Sequence, residues 1–301
     1  MDINELRKII SEHPKFPGTE NIRHASVCND GFPGNFNLSF TEAEWIKKFN
    51  GQYLNYDHDL IYSKIQPCIR HQDWASIKNN DENSYRYLSV FDMADIGGAI
   101  SFVDGSKLDE VTEFSVKNLY DFLIHKLKLS PDLLRIKYCQ GGNVTNLTNR
   151  KYPLKKDLEA DPKIALWQQL GISKNQLIPD RSRDTLLALH IYLLPTPWGY
   201  RNEIFYEHED RLLDIATFEY LFLRPIFNTR GDIKDLNKWE HCFVISAVGV
   251  ERILMVVNNY KTIMECSHIK PLTETILDDA NKKNYQGAVV LTEAIRVLHR
   301  I

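Results

Sequence analysis

Apolar residues recur at helical spacing over residues 107–128. Val111, Phe114, Val116, Leu119, Phe122, Leu123 and Leu127 fall on one side of a helix there, and Pro131 follows. Shorter helices are predicted for 3–12, for 40–50 with Gly51 as a stop, for 161–170 ended by Gly171, for 250–259 and for 286–301. Alternating apolar positions and aromatic content predict strands at 63–70, 85–92, 134–138, 186–194, 203–206 and 243–248. The polar run 71–83 between the first two strands is long for a hairpin loop, and loops of that length commonly carry function. Strands separated by irregular loops, with helices grouped between them, imply an α+β fold with an antiparallel sheet flanked by helices.

Composition adds limits. A chain of 301 residues, 43% hydrophobic and 26% charged, buries a sizeable core and fits one large domain better than an array of small ones. A formal net charge of −3 gives no global pull towards nucleic acid, so any RNA surface has to be a local basic patch or a partner's. Five scattered cysteines without a CxxC, and ten histidines without an HxxxH pair, argue for a reducing compartment and against a disulfide framework or a zinc site. Asn143-Val-Thr and Asn146-Leu-Thr match the glycosylation pattern but follow no signal peptide, and read as chance. The amino terminus is polar and no apolar run approaches membrane length, so a cytoplasmic protein that uses no membrane is expected.

Three segments carry a more specific pattern. Gln66-Pro-Cys-Ile-Arg70 leads through the polar loop to Ser84-Tyr-Arg-Tyr-Leu-Ser-Val-Phe-Asp-Met93. Asn202-Glu-Ile-Phe-Tyr206 follows Pro195-Thr-Pro-Trp-Gly199, and Val244-Ile-Ser-Ala-Val-Gly-Val-Glu-Arg252 comes third. In this order they resemble motif 2, a GPCGPxSEIxY segment and motif 3 (VDTGMGLER) of the class II aminoacyl-tRNA synthetases, specifically the alanyl-tRNA synthetase catalytic domain. Asp161-Pro-Lys-Ile-Ala-Leu-Trp167 before Gly171-Ile172, and Asn258-Asn-Tyr260, parallel connecting pieces of that family. Motif 1, before about residue 60, is the least recognisable part.

The resemblance implies a catalytic (adenylation) domain over 1–265 and a helical C-terminal extension over 266–301 packed on it. The tRNA-recognition and editing domains, the latter with its zinc pattern, have no counterpart in these 301 residues. It implies ATP and Mg²⁺ as cofactors and no zinc. Arg70 would bridge the α-phosphate and the substrate carboxylate, a task suited to a planar fork. Arg252 would grip the γ-phosphate end, and Arg86 is a third phosphate candidate. Phe91 and Met93 would form the adenine platform. Glu203 and Asp214 match acidic positions and would hold the magnesium. As alternatives, Arg70, Arg86 and Arg252 read as ordinary strand or helix-start cations, Phe91 and Met93 as core, and the two acids as structural.

The chain departs from the family in the amino-acid half. Ile245 stands where the family has the Asp that meets the α-amino group, and Ala247 where it has Gly. His190 replaces a Trp, and Glu219 lies where a small apolar residue shapes the alanine pocket. Glu219 either restores the ammonium's counter-ion from another wall, or joins His190 in recognising a polar or cationic side chain, or points to solvent. The expected function is an AMP-forming ligase: ATP-dependent activation of an amino acid, alanine or another, with transfer to a small molecule, peptide, carrier protein or separately presented tRNA. A non-catalytic regulatory relative and a minimal tRNA-charging synthetase are the alternatives. A homodimer is compatible with the class.

Overall fold

The computed structural model describes residues 1–28, 60–102, 105–143, 157–182, 184–188, 197–230, 233–279 and 283–300. The helix expected at 40–50, and His190 with the second half of the strand expected at 186–194, lie outside them.

In chain order the elements are α1 (Ile3–Glu12), β1 (Glu20–Asn21), β2 (Leu60–Ser63), β3 (Ile65–Ile69), α2 (Trp74–Asn79), β4 (Val90–Asp95), β5 (Ala99–Phe102), α3 (Leu108–Tyr120), β6 (Leu134–Cys139), β7 (Gly142–Asn143), β8 (Asp157–Leu158), α4 (Ile164–Gln169), β9 (Leu177–Asp180), β10 (Leu186–Ala188), β11 (Trp198–His208), β12 (Arg211–Phe227), β13 (Ile233–Gly249), α5 (Val250–Asn258), α6 (Lys270–Asp279) and α7 (Tyr285–Arg300). One large sheet runs β1-β2-β5-β13-β12-β11-β6-β9, with β4 joined to the end of β13 and carrying β3. Its pairings are antiparallel except β1 with β2 and β6 with β9. The fold is therefore α+β, with helices against a mostly antiparallel sheet, as the sequence implies.

Local chemistry explains the element ends. Asp2 caps α1, its carboxylate accepting from the Asn4 and Glu5 amides at 2.8 and 2.9 Å, and Ile3, Leu6 and Ile10 turn into the core. α3 buries Val111, Val116 and Leu119 and runs on as a π-helical turn over Asp121–Lys126, which buries Phe122 and Leu123. α4 covers less than predicted. It starts at Ile164 because the buried Asp161 carboxylate accepts from the Lys163 amide at 2.8 Å and holds a turn there. Gly171, with φ +96°, closes it.

The strand predicted over 85–92 is corrected. Residues 84–86 form a 3-10 turn and the strand starts only at Val90. Tyr87 and Leu88 are held by the turn and by packing rather than by a ladder, because β3 pairs only as far as Ile69 opposite Val90. The long strand β12 has no counterpart among the predicted strands, and the strands predicted at 203–206 and 243–248 are only parts of β11 and β13. At Gly199 the sheet itself demands glycine: a Cβ there would lie 2.2 Å from the Tyr220 carbonyl oxygen. The register shift between Trp198 and Gly199 sits at this close approach.

The last helix, α7, rests on β4 beside the loop 70–89, and α6 packs on α7. Glu293 of α7, fully buried, accepts from the Ser89 amide at 2.5 Å, and Arg296 donates to the Val90 carbonyl at 2.8 Å.

Candidate active site

Strand alternation puts Arg201 and Glu203 of β11, Thr217 and Glu219 of β12, and Ala247 and Gly249 of β13 on one face of the sheet, where they floor a cleft of about 350 Å³. The intervening residues point the other way. Asn202 and Tyr220 reach the buried Asp161 from that opposite face, and Asn202 also accepts from Trp167 of α4. The polar network behind the sheet thus fixes the strands whose other side carries the cleft.

At one end the cleft is cationic. Arg70, just past β3, keeps its backbone in line by donating to the Ser89 carbonyl at 2.9 Å, and its guanidinium lies 4.9 Å from the centre of the Phe91 ring. Arg86 projects from the 3-10 turn rather than from a strand. It donates to Asn83 Oδ1 at 2.9 Å and sits over the Tyr87 ring at 5.2 Å. Its Nε is buried with no hydrogen-bond partner among the described residues, a donor waiting for an acceptor. Arg252, in the first turn of α5, donates to the Asp214 carboxylate at 2.9 Å and carbonyl at 3.0 Å. Phe91 and Met93, on alternate positions of β4, line the wall between them, whereas Val90, Asp92 and Ala94 are buried. Asp73 lines the same end. Burial lifts its carboxyl above the ordinary range, and Arg70, Arg252 and Arg86, in that order, oppose the lift.

The other end is acidic. Arg201 is its one arginine among the lining residues, and its fork is already used: Nη2 pairs with Glu203 at 3.0 Å, Nη1 with Glu219 at 3.8 Å, and Nε donates to the Asp184 carbonyl at 2.5 Å. Burial raises the Glu219 carboxyl, with Arg201 and the Thr217 hydroxyl holding it back. Its side chain is only 14% exposed, so the solvent-facing alternative for Glu219 does not hold. Burial pushes Glu203 up to about 7 against the pull of Arg201, and the nearby Asp214 adds to the rise. Ile245 stands directly across from Glu219 in the β12–β13 register, giving a row Arg201, Glu219, Ile245 over three strands.

Glu251, beside Arg252, does not serve as a free acid. Its carboxylate accepts from the Asp92 amide at 3.0 and 3.2 Å and faces His268 at 3.7 Å. Burial raises this group, but His268 and the Asp92 amide outweigh it and keep the carboxyl below its usual range. It ties the start of α5 to β4.

The cleft therefore gathers Arg70, Arg86, Phe91, Met93, Glu203, Asp214, Glu219, Ala247 and Arg252. Ile245 lies beside them and is buried, 3% exposed. Asp73, Arg201 and Thr217 are lining residues that sequence reasoning did not find. Only the alternation of Arg201 with Glu203 hinted at a shared face. Magnesium that travels on phosphate oxygens needs one or two carboxylates; Glu203 and Asp214, the two acids expected for it, both line the cleft, each paired with an arginine. Among the described residues no three His, Cys, Asp or Glu side chains could hold a metal ion.

Comparison with known proteins gives a thin frame. No protein-family model and no curated protein matches the chain. Among solved structures it is similar to an apo histidyl-tRNA synthetase of S. aureus, at 10% identity and TM-score 0.38 over 93% of this chain and 75% of that one. It is also similar to a putative aspartyl-tRNA synthetase from Leishmania major Friedlin, at 11% identity and TM-score 0.39 over 88% of this chain and 64% of that one. A third likeness is to an aspartyl-tRNA synthetase from Entamoeba histolytica, at 12% identity and TM-score 0.36 over 88% of this chain and 57% of that one. These likenesses are weak, and what the chain does has to be read from its own cleft.

Proposed function

We propose that the cleft activates an amino acid with ATP, forming an aminoacyl-adenylate and releasing pyrophosphate, as the resemblance to the alanyl-tRNA synthetase catalytic domain implies. The observation that carries this reading is the division of charge along one cleft. Arg70, Arg86 and Arg252 stand at one end and Glu219 with Arg201 at the other, with Glu203 between them, paired with Arg201 and close to Asp214. A triphosphate and an ammonium group placed head to tail match that division, and the substrate carboxylate then falls between them.

In the reaction, an oxygen of the substrate carboxylate attacks the α-phosphorus, and the bond from that phosphorus to the bridging oxygen of the leaving pyrophosphate breaks. No protein nucleophile is needed. The chain's task is to orient the two ligands and stabilise charge as it spreads over the phosphoryl oxygens. Arg70, at the cationic end, is assigned the α-phosphate and the attacking carboxylate. Arg86 and Arg252 are assigned the departing phosphates, with the buried Arg86 Nε as a waiting donor. Glu203 and Asp214 would hold Mg²⁺, which supplies neutralising charge on the phosphates when bound.

Glu219 is assigned the ammonium. The Asp that the family uses for this corresponds to Ile245, and Glu219 is its direct neighbour across the strands. Paired residues lie about 4.5–5.5 Å apart at Cα, so the carboxylate has moved by one strand along a single row. A buried ammonium without such a partner costs on the order of several kcal/mol. Glu219 also narrows the space in which the family holds an alanine methyl, so the substrate need not be alanine. The acceptor of the activated group, whether tRNA, carrier protein or small molecule, has no residue assigned to it.

A regulatory relative that binds without reacting is the second reading, favoured by one feature: Arg252 and Arg201 already have acid partners within the chain. Hydroxylamine trapping separates the two. Incubation with ATP, Mg²⁺ and each standard amino acid is expected to yield the hydroxamate of one of them, or of a few. Nucleotide binding with no hydroxamate from any would contradict activation and leave the regulatory reading.

A further inference from the structure

Arg70 stands where the β3–β4 ladder gives out. The last pair is Ile69 with Val90, and the chain then leaves the sheet until it returns at Ser89. One step past the ladder, the Arg70 amide donates to the Ser89 carbonyl at 2.9 Å. The end of a ladder beside a long excursion opens readily unless something else closes it. Here α7 closes it from the side. Glu293, fully buried, accepts from the Ser89 amide at 2.5 Å, and Arg296, itself paired with Glu293, donates to the Val90 carbonyl at 2.8 Å. The helix therefore grips the peptide groups on either side of the one that accepts from Arg70. The second of them leads into Phe91, whose ring lies 4.9 Å from the Arg70 guanidinium.

We infer that Glu293 and Arg296 are positioning residues for Arg70. The pair fixes the Ser89 and Val90 peptides, and through them both the backbone of Arg70 and the ring beside its side chain. The last helix is thus part of the phosphate end, although no described residue of α7 lines the cleft. The inference rests on reading that end as the polyphosphate site, but not on any reaction taking place. A buried ion pair is a poor source of stability, because desolvation offsets its attraction. It is well suited to holding neighbouring groups in one arrangement, and the groups held here are backbone amide and carbonyl beside a site arginine.

Inorganic tripolyphosphate is the probe, because it needs neither amino acid nor turnover. It is titrated by calorimetry at one ionic strength, low enough that Arg70→Ala still binds. Glu293→Met/Arg296→Met replaces the pair with apolar side chains, a change that buried ion pairs commonly tolerate in stability. This variant is expected to bind about tenfold more weakly than wild type. In an Arg70→Ala background the same change is expected to weaken binding less than about twofold, since the positioned group is gone. Thr292→Val removes the buried hydrogen bond from α7 to Thr273, 3.1 Å long, and is expected to lower the melting temperature while affinity stays within about twofold. If the double variant does not fold, Glu293→Gln, which gives up only the charge that holds Arg296, is expected to weaken binding about threefold with the same dependence on Arg70. An Arg70-dependent loss confined to the Glu293 and Arg296 variants supports the inference. Unchanged affinity in them, the same loss with and without Arg70, a like loss in Thr292→Val, or no binding by wild type would overturn it. The Arg70-dependent loss in a protein that makes no hydroxamate would uphold the positioning pair while sinking adenylation.

Discussion

At the cationic end of the cleft, Arg70, Asp73, Arg86, Phe91 and Met93 all come from one short strand-loop-strand segment, while Arg252, at the strand-to-helix junction of β13 and α5, and its partner Asp214 of β12 come from elsewhere. At the acidic end, Arg201, Glu203, Thr217 and Glu219 come from two long neighbouring strands and meet only through their register. The first end is a local device whose geometry travels with its sequence. The second is an emergent surface, in which a change on one strand can be answered from the next. On the proposed reading, Glu219 standing in for a carboxylate that Ile245 cannot supply is the form such an answer takes.

This contrast sets the order of expected effects. The largest falls on the phosphate end. Arg70→Ala or Arg252→Ala is expected to lower hydroxamate formation by about a thousandfold, roughly 4 kcal/mol, since each removes a fixed cation from the developing charge. Single-turnover trapping would check it. Glu219→Gln is expected to lower kcat/KM for the amino acid by about a hundredfold while the KM for ATP moves less than about threefold. An equal loss on both substrates would dissolve the distinction between the two ends.

A third test uses pH. The Glu203 carboxyl stands at about 7 in the folded protein, above its ordinary 4.5. The folded chain therefore keeps a proton that the unfolded chain has released between those values, and stability falls as pH rises through that window. The loss is of order 3 kcal/mol. Glu203→Gln is expected to flatten it in urea unfolding compared at pH 4.5 and 7.5. The smallest effect belongs behind the sheet. Tyr220→Phe removes the hydroxyl that donates to buried Asp161, and a loss of about 1–2 kcal/mol in the same assay is expected.

How much the sequence discloses follows the same division. The loop between β3 and β4 and the junction at Arg252 were legible because each is a contiguous run of residues. The helix over 107–128 was legible because its apolar stripe is long, although its last part winds as a π turn. Arg201 was not, because nothing near it in sequence says that Glu219 is its neighbour; only the pairing of β11 with β12 does so. Asp73 was hidden for a different reason. In a polar loop one acid looks like any other until the arginines around it are placed. The strand expected at 85–92 failed where aromatic content mimicked a ladder: Tyr87 lies under Arg86 and near Arg252 of the cleft, and Tyr85 under Arg211, which does not line it.

The central claim is that one carboxylate, shifted across a single strand pair, serves the substrate's ammonium beside a phosphate site. The most direct measurement is amino-acid-dependent exchange of labelled pyrophosphate into ATP by wild type, Glu219→Val and Glu219→Val/Ile245→Asp. The expected result is exchange in wild type, near silence in Glu219→Val, and partial return once Asp stands at position 245. Undiminished exchange in Glu219→Val, or a double variant no better than the single one, would contradict it.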